Sequence, residues 1–178
     1  MHYGFPARRP ATRYEQRIYG GRADVSGLLD RFSDHTRRIF ARHRGRSFLE
    51  GAMAAAALIA LADGDASLEE GAEVGRLMRV LDTLRDHNPD QGVESYLRYI
   101  DRLRKNPADQ EAIREVVLAA AGNDKEAAAL LVVICHAVSE ADGIVRDSEV
   151  AEIRIISELL DVDGIDAAEL IVPQISNA

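Results

Sequence analysis

A chain of 178 residues with 47% hydrophobic content is long enough for one compact domain with a sizeable buried core. Its single cysteine, Cys135, excludes an internal disulfide framework and a cysteine-based zinc site, so nothing calls for an oxidising compartment and a cytoplasmic setting is expected. The net charge of −8 is unevenly spread: residues 1–46 hold eleven arginines against four acids, a net of +7, which leaves −15 for the remainder.

Residues 1–24 carry two prolines, three glycines and no sustained period, and read as a flexible basic tail. Over residues 25–46 the apolar positions Val25, Leu28, Leu29, Phe32, Ile39 and Phe40 recur mostly at helical spacing. Arg31, Arg37, Arg38 and Arg42 fall largely between them, the pattern of a basic amphipathic helix. Residues 47–178 form the main domain. There Ser47 and Glu50 have the spacing of a capping box opening a helix that runs to about Ala62, where Gly64 stops it. Ser67 and Glu70 repeat that spacing ahead of a helix with Val74, Leu77, Met78, Leu81 and Leu84 on one face. The stretch "HNPDQG" breaks the chain before a helix containing Tyr96, Leu97, Ile100 and Leu103.

Pro107 suits the first turn of the next helix, which ends at Gly122. Helices over 125–141 and about 147–160, and a short piece over 166–171 before Pro173, complete the series. No stretch alternates with period two between turn signals, so the fold class is all-α. No run reaches the roughly 18 continuous apolar residues of a membrane-spanning helix, and no transmembrane segment is expected.

The chain also repeats itself. A shift of 79 residues superimposes Asp63 on Asp142, Gly64 on Gly143, Glu70 on Glu149 and Glu73 on Glu152, with Val74, Leu77 and Leu81 falling on Ile153, Ile156 and Leu160. The unit is a helix, an Asp-Gly turn and a second helix. One such hairpin cannot bury its apolar faces alone, so the two are expected to pack about a pseudo-twofold axis. That would gather Asp63, Glu70, Glu73, Asp142, Glu149 and Glu152 into an acidic site.

Two readings of these acids compete. Structurally, glycine ends helices in the left-handed conformation, aspartate favours turns and glutamate favours a helix's first turn. This accounts for Glu70, partner of Ser67, better than for Glu149, whose cap position is Arg146. Functionally, Asp-Gly-x5-Glu is the second half of an EF-hand calcium loop, but Ile59, Leu61 and Val138 occupy first or third loop positions and cannot chelate through their side chains. A cation would therefore need carboxylates from both turns. Such donors suit Ca²⁺, Mg²⁺ or Mn²⁺, and the helical pair His136 and Glu140 would shift preference toward Mn²⁺ or Zn²⁺. His136 aligns with Ala57, which favours a packed core histidine over a ligand.

The stretches "AAAALIALADGDASLEEGAEVGRLMRVLD" and "LLVVICHAVSEADGIVRDSEVAEIRIISELL" resemble the two halves of the bacterial tellurite-resistance TerB-like family, over residues 48–162. That resemblance implies a compact bundle of about seven helices built from two pseudo-symmetric helix-turn-helix repeats, no established enzymatic activity, and an acidic, metal-binding site at the paired turns. The matching residues are Asp63, Glu70, Asp142 and Glu149. It further implies a stress-response role, tellurite included, with a protein partner. The arginine-rich first 46 residues fall outside the family pattern.

The expected function is thus a non-catalytic helical module of a stress response. Paired carboxylates could instead serve acid–base catalysis. The chain, however, supplies no Gly-rich phosphate loop, His-Glu-x-x-His or nucleophile elbow. The alternative is an adaptor. Its basic arm, with Arg8, Arg9, Arg13, Arg17 and Arg22 interleaved by Tyr3, Tyr14 and Tyr19, would bind nucleic acid, an anionic membrane surface or a protein partner. Against this, the acidic body is the nearest anionic surface for that arm.

Overall fold

The structure is a computed structural model that describes residues 42–43, 45–64, 71, 74, 89–141 and 143–162. Among these there is no strand, and five helices form the framework: α1 Arg46–Ala60, α2 Pro89–Lys105, α3 Gln110–Ala121, α4 Lys125–Ser139 and α5 Asp147–Leu159. Gly71 and Val74 are also helical. The basic tail and most of the basic helix lie outside the described residues. So do the Ser67–Glu70 capping box, most of the helix after the first turn, and the 166–171 piece.

Helix α1 sits at the centre because its composition allows it. From Gly51 to Ala60 every residue is buried, six of them alanines at 52, in the run 54–57 and at 60. Small side chains let neighbouring backbones approach from several sides, and α1 packs against α2, α3, α4 and α5. The closest approach is at Gly51, where an added Cβ would stand 2.1 Å from the Cβ of Ala120 on α3. The large buried side chains Met53, Leu58, Ile59, Ile113, Leu130, Leu131, Ile134 and Ile153 fill the spaces between these helices. Each such burial stabilises the fold by about 1.5–3 kcal/mol before entropy is counted.

The expected capping box at the start of α1 does not form. The helix begins at Arg46 with Gly45 as its cap residue, and no side chain caps it. Glu50 is engaged elsewhere: it accepts hydrogen bonds from Ser95 Oγ at 3.0 Å, Arg98 Nη2 at 3.0 Å and the Tyr99 hydroxyl at 3.1 Å, all on α2. Burial opposes the Glu50 charge, but these donors and the Arg98 guanidinium outweigh it and hold the carboxyl below its usual value. Tyr99 is pushed up by burial and by Glu50. Ser95 and Tyr99, which α2 must bury, thus share one acceptor on the central helix with the exposed Arg98.

Helix α2 starts at Pro89, within the "HNPDQG" stretch read as a break, because the first helical position needs no N–H donor. It turns Tyr96, Tyr99, Ile100 and Leu103 inward, while Leu97 on the opposite face is 55% exposed. A short 3-10 turn, Pro107–Asp109, leads into α3, and Gly122 ends α3 with φ of 57°. Asp124 then caps α4 by accepting the backbone N–H groups of Glu126 and Ala127. Helices α3, α4 and α5 agree with the periodicity to within a few residues at each end.

Candidate functional site

Both Asp-Gly turns are visible in part and have the same backbone. After α1, Leu61 N–H donates to Ala57 O, Ala62 to Ile59 O, and Gly64 to Leu61 O; after α4, Glu140 donates to His136 O, Ala141 to Val138 O, and Gly143 to Glu140 O. The three bonds of one turn correspond one for one to those of the other under the 79-residue shift. Gly64 and Gly143 have φ of 93° and 77°, the left-handed region in which glycine is favoured.

The turns meet through Arg146, three residues beyond Gly143. Its Nε stands 2.9 Å from Asp63 Oδ2 in the first turn, and its Nη1 stands 3.7 Å from Glu149 Oε1. Its backbone N–H donates to Glu149 Oε2 at 2.7 Å, and Ser139 Oγ lies 3.4 Å from the same oxygen. Glu149 is 1% exposed. An arginine side chain has no acceptor to offer the helix, so this is the glutamate half of a capping box, formed without a capping side chain at Arg146. The structural account of Glu149 that the sequence made awkward is therefore satisfied by the backbone of Arg146.

Of the four residues assigned to a metal, Asp63 and Glu149 come to the same guanidinium, while Glu70 and Asp142 lie outside the described residues, as does Glu73. Glu152 leaves the group. Its oxygens accept from Arg114 of α3, Nε to Oε1 at 2.9 Å and Nη2 to Oε2 at 2.6 Å, which raises the arginine's already high pKa.

His136 is buried in α4, and burial lowers its pKa to about 4, so the imidazole is neutral near pH 7. Glu140, at the turn, is raised by burial to about 7. One raised carboxyl does not make a catalytic pair. Cys135 is fully buried, and its thiol is pushed far upward by burial and by the Glu152 charge, the state of an inert cysteine.

A second cluster lies away from the turns, where His43 meets the start of α4. One ligand atom each from His43, Asp124 and Glu126 lie within 4.8 Å of one another. His43 Nε2 is 3.7 Å from Asp124 Oδ2 and 3.9 Å from Glu126 Oε2, and Arg42 Nη2 is 2.9 Å from that Glu126 oxygen. Sequence spacing gave no warning of it, since His43 precedes Asp124 by some eighty positions.

The sequence model of the family described as "Tellurite resistance protein TerB" matches residues 49–171, more than half of the chain. The chain belongs to the TerB family. No curated protein and no solved structure matches it. The TerB match spans both turns and all four acids assigned to them, Asp63, Glu70, Asp142 and Glu149, together with Arg146. His43 lies outside the TerB segment, whereas Asp124 and Glu126 lie within it.

Proposed function

We propose that this TerB-family chain is a non-catalytic helical module of a stress response, and that its working site is the junction of the two Asp-Gly turns, which binds a divalent cation. The observation that carries this reading is the 2.9 Å pair between Arg146 and Asp63, because it joins turns that lie 79 residues apart in the chain. Asp63 and Glu149, with Glu70 and Asp142, would supply hard oxygen donors suited to Ca²⁺, Mg²⁺ or Mn²⁺. The fit has one condition: the Arg146 guanidinium already pairs with Asp63 and stands near Glu149. It must withdraw from Asp63 for that oxygen to serve as a ligand. Arg146 is one-third exposed, which leaves it room to do so. The buried, unreactive Cys135 is in keeping with a binding role rather than a catalytic one.

Thermal melts of demetallated protein with and without Ca²⁺ or Mn²⁺ test this directly. Metal should raise the melting temperature, since it binds only the folded arrangement. Asp63→Asn or Asp142→Asn should each remove most of that rise, and the double change should add little. Arg146→Gln, which removes the competing cation, should enlarge it. If both Asn variants lose the same stability with and without metal, the aspartates are turn residues only.

A further inference from the structure

We propose that His43, Asp124 and Glu126 form a separate metal site for a borderline transition-metal ion of the Zn²⁺ class, fastening the segment that carries His43 to the start of α4. This inference is independent of the turn junction. It rests on how three side chains are held. Asp124 Oδ1 accepts the N–H groups of Glu126 at 2.9 Å and Ala127 at 3.2 Å, and these bonds fix the carboxylate with Oδ2 toward His43. The imidazole lies against Phe48, with ring centroids 5.9 Å apart, and only 14% of the side chain is exposed. Its Nε2 is buried and makes no hydrogen bond, although two carboxylates lie just beyond it.

That combination points to an ion. At 3.7 and 3.9 Å the nitrogen is too far from either oxygen for a hydrogen bond. Two ligand atoms bound tetrahedrally at about 2.1 Å stand roughly 3.4 Å apart, so the imidazole needs only a few tenths of an ångström of closure toward each carboxylate, and the two carboxylates, within 4.8 Å, close on the ion by side-chain rotation. A buried imidazole nitrogen without a partner is unfavourable, and a shared cation would satisfy it together with both carboxylates. One nitrogen and two oxygens make a mixed donor set that favours Zn²⁺ over Ca²⁺ or Mg²⁺, with a fourth position left for water. Two features oppose binding, the positive end of the α4 dipole and Arg42 beside Glu126. The two carboxylates outweigh the first, and Arg42 is 59% exposed and can move away.

The test uses the full-length, demetallated protein, Zn²⁺ as the probe, and imidazole nitrogen resonances as the direct readout, with His136 as an internal control. Zn²⁺ should shift the His43 Nε2 resonance and leave that of His136 in place. His43→Gln should weaken Zn²⁺ binding in calorimetry by more than about tenfold. Asp124→Asn should do the same while keeping the helix cap, because asparagine caps equally well. Asp63→Asn should leave the His43 response intact, which separates this site from the turn junction. A His43 resonance left unchanged by the addition of saturating Zn²⁺ would overturn the proposal and leave the residue a packed neighbour of Asp124. Equal Zn²⁺ affinity in wild type and His43→Gln would do so as well.

Discussion

Arg114 and Glu152 form a two-pronged ion pair across α3 and α5, with side chains only 15% and 9% exposed. Removing Arg114 strands the nearly buried Glu152 charge, and removing Glu152 leaves Arg114 only the exposed Glu111, 3.2 Å from its Nη1. Arg114→Met or Glu152→Gln should therefore each cost about 3 kcal/mol in urea unfolding. Arg114→Met combined with Glu152→Leu should recover much of that loss, since a well-packed apolar pair often replaces a buried ion pair without penalty. Additive losses in the double variant would mean that the two residues act separately.

Gly51 should resist substitution more than Gly45, Gly64, Gly71, Gly122 or Gly143. Its missing side chain is what lets α1 lie against Ala120, and a Cβ at 2.1 Å would force the helices apart. Gly51→Ala should cost about 2 kcal/mol or more despite alanine's better helix propensity. Ala120→Gly in the same chain should restore part of the stability. A stability gain in the single variant, measured as a higher melting temperature, would contradict the close approach.

Gly64 and Gly143 present the opposite case. Nothing lies within 4 Å of a Cβ at either position, so only the left-handed backbone resists a side chain. Gly64→Ala and Gly143→Ala should each cost about 1–2 kcal/mol, with asparagine less costly at both sites. Because the turns share one backbone pattern, the two positions should respond alike in chemical denaturation.

His136 gives stability a pH dependence of known sign. Its pKa falls from 6.5 to about 4 on folding, so the unfolded chain binds more protons between those values. The contribution is complete above pH 6.5 and is lost as pH falls toward 4, in total on the order of 3 kcal/mol. Glu140, raised to about 7, acts in the opposite direction between pH 4.5 and 7, so the wild-type curve alone will look flatter. The difference between wild type and His136→Leu, followed by urea titration from pH 4 to 7, isolates the histidine. A constant difference would show that His136 does not titrate as a buried neutral group.

Local signals in the chain were readable, and long-range ones were not. Pro107, Gly122, Gly143 and the apolar period of α5 mark helix ends through backbone requirements that act within a few residues, and each appears where expected. The shared backbone of the two turns was legible because the chain states the Asp-Gly motif twice, whereas the Arg146–Asp63 contact between them was not. The partners of Glu50 lie 45 to 49 positions away, and the partner of Glu152 lies 38 positions away. Spacing alone cannot tell a helix-capping glutamate from one that crosses to another helix. Ser47 and Glu50 match the capping pattern, yet the carboxylate goes to Arg98 and its neighbours, where it meets more donors. His43 could not be found for the same reason.

The encirclement of α1 bears on how the molecule breathes. Amides from Gly51 to Ala60 are covered on every side, so solvent reaches them only when the whole bundle opens, and their hydrogen-exchange rates should report the global unfolding free energy. Asp63 sits three residues beyond the end of this enclosed segment. An event that draws Arg146 away from Asp63 therefore moves the α5 side of the junction, against a first turn anchored to a helix buried on every side.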